Sequence, residues 1–204
     1  MLGLPKTTEL NRQLSKKAIY TKFQMNTAAK EKMDADISRI MIVNEVSPER
    51  VNIAEGGQVK RFFILLVNLK KKEFDERNIA TISKLIPQNM LFVLECGDEQ
   101  KLAVYHTKLM QTDWHLKDTL AVQLKGLNLD VVWENIIMQI GSIEIERGKT
   151  LDEQIAIDDR KQKLLKEIAR YEKLARSERQ PKKKFELANQ VQFLTKQLKE
   201  LTQL

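Results

Sequence analysis

The longest unbroken apolar run in the chain, Phe62 to Val67, lies between two polar segments. Gly56 and Gly57 form a turn signal before it, because glycine adopts positive φ without steric cost, and a row of lysines ends it. The run is too short for a membrane span, which needs about 20 residues. The pattern therefore predicts a central strand that is buried on both faces.

Three further segments carry strand patterns. Residues 37–46 are rich in isoleucine, valine and methionine. Residues 90–96 and 102–106 are apolar and are separated by a tight polar turn, so they predict a β-hairpin. Residues 119–124 alternate between apolar and polar positions, which predicts an edge strand.

Helical spacing and capping signals predict four helices around these strands, at residues 16–23, 27–35, 73–85 and 131–139. The first 13 residues are expected to be irregular, since Pro5 blocks regular helix before it. Strands at the centre with helices before, between and after them indicate an α+β fold. Its sheet should be mixed and mostly antiparallel, with flanking helices.

The composition changes at Gly148, where Thr150 and Glu153 form the sequence pattern of a capping box. Beyond it, two apolar stripes at heptad spacing are separated by a turn that contains Pro181. These features predict an α+β core domain at 1–147 and an antiparallel helical hairpin, of coiled-coil type, at 148–204. The stripes could pair within one chain or between chains; they are Ile157, Leu164, Ile168, Tyr171 and Ala175, then Leu187, Val191, Leu194, Leu198 and Leu201.

Positive charge concentrates at the turn of the predicted hairpin. The chain carries a formal net charge of +7, which is typical of some proteins with acidic partners and also of many without them. We call the five cations around the turn the basic tip: Arg176, Arg179, Lys182, Lys183 and Lys184. Two interpretations remain open, a solvated coiled-coil surface and a surface that contacts phosphates.

Candidate partner-binding positions are the apolar stripe of the second helix and one tryptophan. Leu187, Val191, Leu194, Leu198 and Leu201 could pack on a partner helix, and Trp114 could stack on a partner or be structural. Trp133 lies on an apolar helix face and is expected in the core.

The sequence lacks the patterns of the common catalytic and metal sites. Gly148-Lys149-Thr150 resembles the end of a phosphate-binding loop, but position 143, where that loop needs glycine, is Ile143. The only histidines are His106 and His115, and no histidine or cysteine lies at metal-ligand spacing. We therefore expect no catalytic residue, cofactor, metal or small-molecule substrate. A single cysteine, Cys96, and the lack of a leader or spanning segment predict a cytoplasmic protein without membrane attachment.

Several short motifs resemble an uncharacterised bacterial family, a domain of unknown function. They are Gly3-Leu4-Pro5-Lys6 at the start, residues 47–53, residues 86–95, residues 124–135 and the basic hairpin tail. The resemblance implies genes that accompany restriction-modification and helicase genes, and it supplies no catalytic residues. The chain departs from the family at the central strand, where an acidic residue is expected and Val59-Lys60 is found.

Three hypotheses follow. The first is a non-catalytic accessory protein of a DNA-processing or defence assembly, with a protein partner (a larger DNA-acting enzyme, or itself) and DNA contacted through the hairpin. The second is a metal-dependent nuclease whose carboxylates would include Glu95 or Asp98. The third is a structural coiled-coil dimer without nucleic acid contact.

Overall fold

The computed structural model describes residues 2–202 of the chain. They form two compact units, one that ends at Ile143 and one that begins at Glu144. We call the first the sheet unit and the second the hairpin unit. No helix within residues 2–202 has both the length and the apolar composition that crossing a membrane requires.

The sheet unit contains one mixed sheet, in which the spatial order of the strands follows the chain from β1 to β6, and β7 pairs with β5. Neighbouring strands are antiparallel except β3 and β4, which are parallel. The expected α+β fold with a mostly antiparallel sheet is confirmed. The strands are β1 (Glu9–Leu14), β2 (Ile37–Val46), β3 (Phe62–Leu69), β4 (Asn89–Cys96), β5 (Glu99–Tyr105), β6 (Leu109–Gln111) and β7 (His115–Leu116).

Four of the helices of the sheet unit lie close to the predicted positions, and a short helix, α3, is additional. They are α1 (Lys16–Lys22), α2 (Thr27–Asp36), α3 (Pro48–Val51), α4 (Glu76–Ser83) and α5 (Leu129–Gly141). Helix α4 connects the two parallel strands, as a crossover between parallel neighbours requires. The hairpin unit consists of α6 (Leu151–Ser177) and α7 (Pro181–Thr202), which pack against each other as the predicted helical hairpin.

Strand β3 is buried on both faces, as its apolar run predicts. On one face Leu65 and Val67 belong to a buried cluster that includes Ile79 and Ile82 of α4 and residues of α1 and α2. Side chains alternate along a strand, so Phe62 lies on the other face of β3. The centre of the Phe62 ring lies 5.1 Å from the centre of the Trp133 ring of α5. The sheet is therefore covered by helices on both faces.

Helix α4 begins at Glu76, three residues later than predicted, because the preceding segment is tied to the last residue of α2. The buried carboxylate of Asp36 accepts hydrogen bonds from the backbone N–H of Asp75, at 2.8 Å, and from the side-chain amide of Asn78, at 3.0 Å. Asp75 then caps the helix by accepting from the N–H of Arg77. The helix starts where these tertiary contacts allow it.

Strand β1 was not predicted, since its sequence is polar and its side chains are largely exposed. It is a strand because its backbone pairs with β2 at one edge of the sheet. The pairing shifts register between Glu9 and Arg12, and Asn11 within this interval has φ of 50°. Such a bulge interrupts the regular ladder at an edge, and no apolar alternation marks it in the sequence.

The prediction of an edge strand at residues 119–124 is wrong. The pairing edge of β5 is taken by β6 and β7, and the segment that follows is irregular. Its backbone groups are satisfied elsewhere: the N–H of Val122 donates to Leu2 O at 3.1 Å, and Ala121 O accepts from the Gln139 side chain. Alternation of apolar residues here reflects packing of a loop and not a strand ladder.

Candidate functional site on the helical hairpin

Helix α6 begins with a complete capping box. Thr150 Oγ1 accepts a hydrogen bond from the N–H of Glu153, and the Glu153 carboxylate accepts one from the N–H of Thr150 at 2.8 Å. The second bond, together with the Thr150 hydroxyl, holds the pKa of Glu153 below its usual value. The capping box that the sequence predicts at Thr150 and Glu153 is thus present.

Helices α6 and α7 are joined by a turn of three residues, Glu178 to Gln180, and Pro181 occupies the first position of α7. The Glu178 carboxylate accepts hydrogen bonds from the N–H groups of Arg179, at 2.8 Å, and Gln180, at 2.9 Å. These backbone donors lower the pKa of Glu178. The acidic residue of the turn is therefore engaged in shaping the chain reversal.

All five cations of the basic tip are exposed. Arg176 approaches Glu172 at 3.7 Å one helical turn away, but its side chain remains 83% exposed. An exposed pair at this distance contributes little and is screened by salt. Arginine and lysine side chains presented in this way can bind phosphate or carboxylate groups of another molecule.

The apolar stripe of α7 lies on the side of the helix where burial is concentrated. Leu194 is buried, with 5% of its surface exposed, and the other four leucine and valine positions are half-buried. The stripe of α6 behaves in the same way, with Leu164 buried at its centre. Since α6 and α7 pack against each other, the pairing of these helices occurs within one chain in this structure.

A second set of apolar side chains on the hairpin is exposed and was not predicted as a binding surface. Phe185 and Phe193 of α7 are 67% and 55% exposed, and Leu165 and Leu174 of α6 are 46% and 42% exposed. A groove of about 610 Å³ near the tip is lined by Leu174, Tyr171 and Leu187, with Lys183 and Glu186 at its polar side. The sequence signal for this exposed set is that Phe185 and Phe193 lie outside the heptad stripe of α7.

Trp114, the remaining partner-binding candidate, lies in the sheet unit and is half-buried against the apolar cluster. Lys101 Nζ lies 4.9 Å from its ring centre, and Lys72 Nζ lies 5.8 Å from it. Burial lowers the pKa of Lys101, which also approaches Phe74. The tryptophan thus serves as a packing surface for two lysines of its own unit.

Of the two carboxylates considered for a nuclease site, Glu95 is engaged by two side chains, and Asp98 lies in the turn between β4 and β5. Glu95 accepts a hydrogen bond from the Asn68 amide at 3.0 Å and pairs with Lys117 at 3.1 Å. The backbone carbonyl of Asp98 accepts from the N–H of Lys117. Within residues 2–202 no three histidine, cysteine, aspartate or glutamate side chains are grouped so that they could hold a metal ion.

A family comparison covers the sheet unit and nearly all of the hairpin. Residues 2–198 match the family described as a domain of unknown function, DUF4391. The chain belongs to the DUF4391 family. No curated protein and no solved structure matches the chain significantly. Because the DUF4391 match extends through most of α7, the hairpin is part of what defines the family and is not an appendage of this chain.

Proposed function

We propose that this DUF4391 protein is a non-catalytic interaction protein that contacts the phosphates of a nucleic acid through the basic tip. Its sheet unit would dock on a larger enzyme of a bacterial DNA-processing or defence assembly, as the family resemblance implies. The observation that carries the proposal is the exposure of all five cations around a turn whose glutamate is occupied by backbone N–H groups.

The position of the lysines supports a role beyond folding. Lys182, Lys183 and Lys184 follow Pro181 directly and occupy the first turn of α7, which contains no acidic residue. The helix macrodipole disfavours cations at this end and favours carboxylates. A sequence selected for hairpin stability alone would place acidic residues there, so the lysines are best explained by an external anion.

The hairpin also has the reach that such a contact needs. Helix α7 has 22 residues and is therefore about 33 Å long at 1.5 Å per residue. Its basic end is separated by that length from the opposite end of the same helix. Cations at one end of a helix of this length can contact a phosphate backbone while residues at its other end contact a protein.

Binding of a labelled DNA duplex across a salt series tests the proposal. The full-length protein is compared with a chain that ends at Lys149 and with the full-length variant K182E/K183E/K184E. A matched control, K163E/K196E/K199E, changes the charge equally at exposed lysines far from the turn. We expect the tip variant to bind more weakly. Its plot of log K against log salt should be shallower, by about 0.9 for each phosphate that the protein no longer neutralises.

The proposal fails if the tip variant and its control bind equally. It also fails if neither the intact chain nor the variants bind DNA at low salt. In that case the exposed charge is a solvated surface, and the hairpin is better studied as a protein-docking arm.

A second candidate function is suggested by the exposed aromatic side chains of α7. Phe185 and Phe193 could contact a second copy of the hairpin, as the structural-dimer hypothesis requires. Light scattering on the full-length protein, with and without F185A/F193A, tests this. A dimer that dissociates in the variant would support the structural role, and a monomeric wild type would exclude it.

A further inference from the structure

A polar cleft of about 530 Å³ lies in the sheet unit where β3 and β4 begin, and it is distinct from the basic tip. Its lining includes four cations, namely Lys22, Lys60, Arg61 and Lys84, and contains no carboxylate. They come from the end of α1, from the loop before β3 and from the end of α4. The fold therefore gathers into one cleft cations that are far apart in the chain.

Two of these cations have no acidic partner. Lys22 Nζ donates to the backbone carbonyl of Leu85, and Lys84 Nζ lies 5.6 Å from the centre of the Tyr105 ring. Neither lysine forms an ion pair with a carboxylate of residues 2–202. Because their partners are uncharged, their full positive charge remains available to a ligand.

The other two cations are held in place by acidic groups outside the lining. Arg61 Nη1 bonds to Glu45 at 2.9 Å, and Lys60 Nζ bonds to Gly56 O at 2.9 Å and approaches Glu55 at 3.3 Å. Both basic side chains remain about half exposed. These contacts reduce their net charge and also fix the loop that carries them.

A carboxylate that does not line the cleft holds the loop in place. Asp130 accepts hydrogen bonds from the N–H groups of Gly57 and Val59, each at 2.7 Å, and from Gln58 at longer distance. Gln58, Lys60 and Arg61 then line the cleft. The loop is thus a supported part of the cleft wall.

We propose that this cleft is a second anion site, which binds phosphate groups of a nucleic-acid strand independently of the tip. The ligand class rests on the function proposed above, whereas the site rests on the cleft alone. The lining contains no aromatic ring on which a base could stack, and it offers amide donors such as Gln58 and Asn89. Such a surface recognises the backbone and not the base sequence.

The test uses the full-length protein and a fluorescent 20-base-pair duplex across a salt series. The variant K22Q/K84Q removes the two uncompensated charges, and K32Q/K125Q removes two exposed lysines of the same unit outside the cleft. We expect weaker binding for K22Q/K84Q, with the salt slope reduced by about 1 for each lysine, and unchanged binding for the control. K84Q alone is included because Lys22 also supports the end of α4 through Leu85.

The outcomes separate this inference from the tip. If K22Q/K84Q and K84Q bind DNA with unchanged affinity and slope, the cleft proposal is overturned, whatever the tip variants do. If the cleft variants weaken binding and the tip variant does not, the cleft stands and the proposed role of the tip fails. Titration with inorganic phosphate and with ATP completes the test. If either ligand binds in a manner that depends on Lys84, while the cleft variants bind DNA normally, the cleft takes a small phosphorylated ligand. That result would overturn the assignment to a nucleic-acid strand.

Discussion

Asp130, in the first turn of α5, accepts a hydrogen bond from the backbone N–H of Val59 at 2.7 Å, across 71 residues of sequence. The same carboxylate accepts from Gly57, so successive N–H groups of one loop converge on one side chain. Such a concavity of N–H groups is an anion-binding nest, and here the anion belongs to the protein. The contact fixes the approach to β3, the central strand.

The contact with Asp130 leaves no space for a side chain at position 56, so this position requires glycine. A Cβ at position 56 would lie 2.1 Å from Asp130 Oδ1, whereas a Cβ at position 57 would lie at an ordinary 3.5 Å from Asp130 Oδ2. We expect Gly56→Ala to lower the free energy of unfolding by about 1–3 kcal/mol, since the crowded loop must shift. Urea unfolding measures this, with Gly57→Ala as the matched control; equal effects of the two substitutions would contradict the steric argument.

The nest makes part of the stability dependent on pH. Hydrogen bonds from Val59, Gly57 and Gln58 lower the pKa of Asp130 below its ordinary value, which is about 3.9 in an unfolded chain. A lowered pKa in the folded state contributes stability that is present above that value and is lost as the pH falls through the folded pKa. We expect the stability difference between wild type and Asp130→Asn to be largest near neutral pH and to shrink below about pH 4.

Urea unfolding at several pH values checks the Asp130 prediction. The control is Glu73→Gln, which changes an exposed carboxylate that forms no hydrogen bond or ion pair within residues 2–202. A difference between wild type and Asp130→Asn that stays constant from pH 3 to 7 would show that the carboxylate charge is not what holds the loop.

The capping box sets the stability of the first turn of α6. Thr150→Ala removes the hydroxyl that accepts from Glu153 N–H, and such cap losses cost about 1 kcal/mol. Hydrogen exchange should accelerate in the first turn of α6. Thr195→Ala is the matched control, because Thr195 lies inside α7 and alanine is the better helix former there; equally fast exchange in both variants would argue against the cap.

The packed face of α7 should be far more sensitive than the exposed one. Leu194 is 5% exposed and its neighbour Phe193 is 55% exposed. Leu194→Ala should cost about 2–5 kcal/mol, since it leaves a cavity, whereas Phe193→Ala should leave the free energy of unfolding nearly unchanged. Urea unfolding followed by circular dichroism compares them, and a larger loss for Phe193→Ala would place the packed face elsewhere.

The sequence was most informative where one local rule decided the outcome. The apolar run at 62–67 required burial on both faces, and the heptad stripes with Pro181 required two helices and a reversal. It was least informative at β1 and at residues 119–124. Strand β1 is polar and forms because β2 offers backbone groups for it to pair with. Residues 119–124 alternate between apolar and polar positions but have no strand beside them to pair with.

The candidate sites divide in the same way. The basic tip is continuous in sequence around one turn, so charge and turn signals sufficed to locate it. The cleft combines Lys22, Lys60 and Lys84, and no local pattern relates these positions. Similarly, nothing near Val59 indicates that Asp130 will hold it.

The sequence by itself determined the central strand, the α+β class, the hairpin and the exposed cations of its turn. Each of these follows from residues within one or two helical turns or one strand, where periodicity and capping act. Only the tertiary structure decided the strand order, the edge pairing of β1, the Asp130 nest and the cleft. These depend on which distant segments pack together, and that is set by burial of the whole core and not by any local preference.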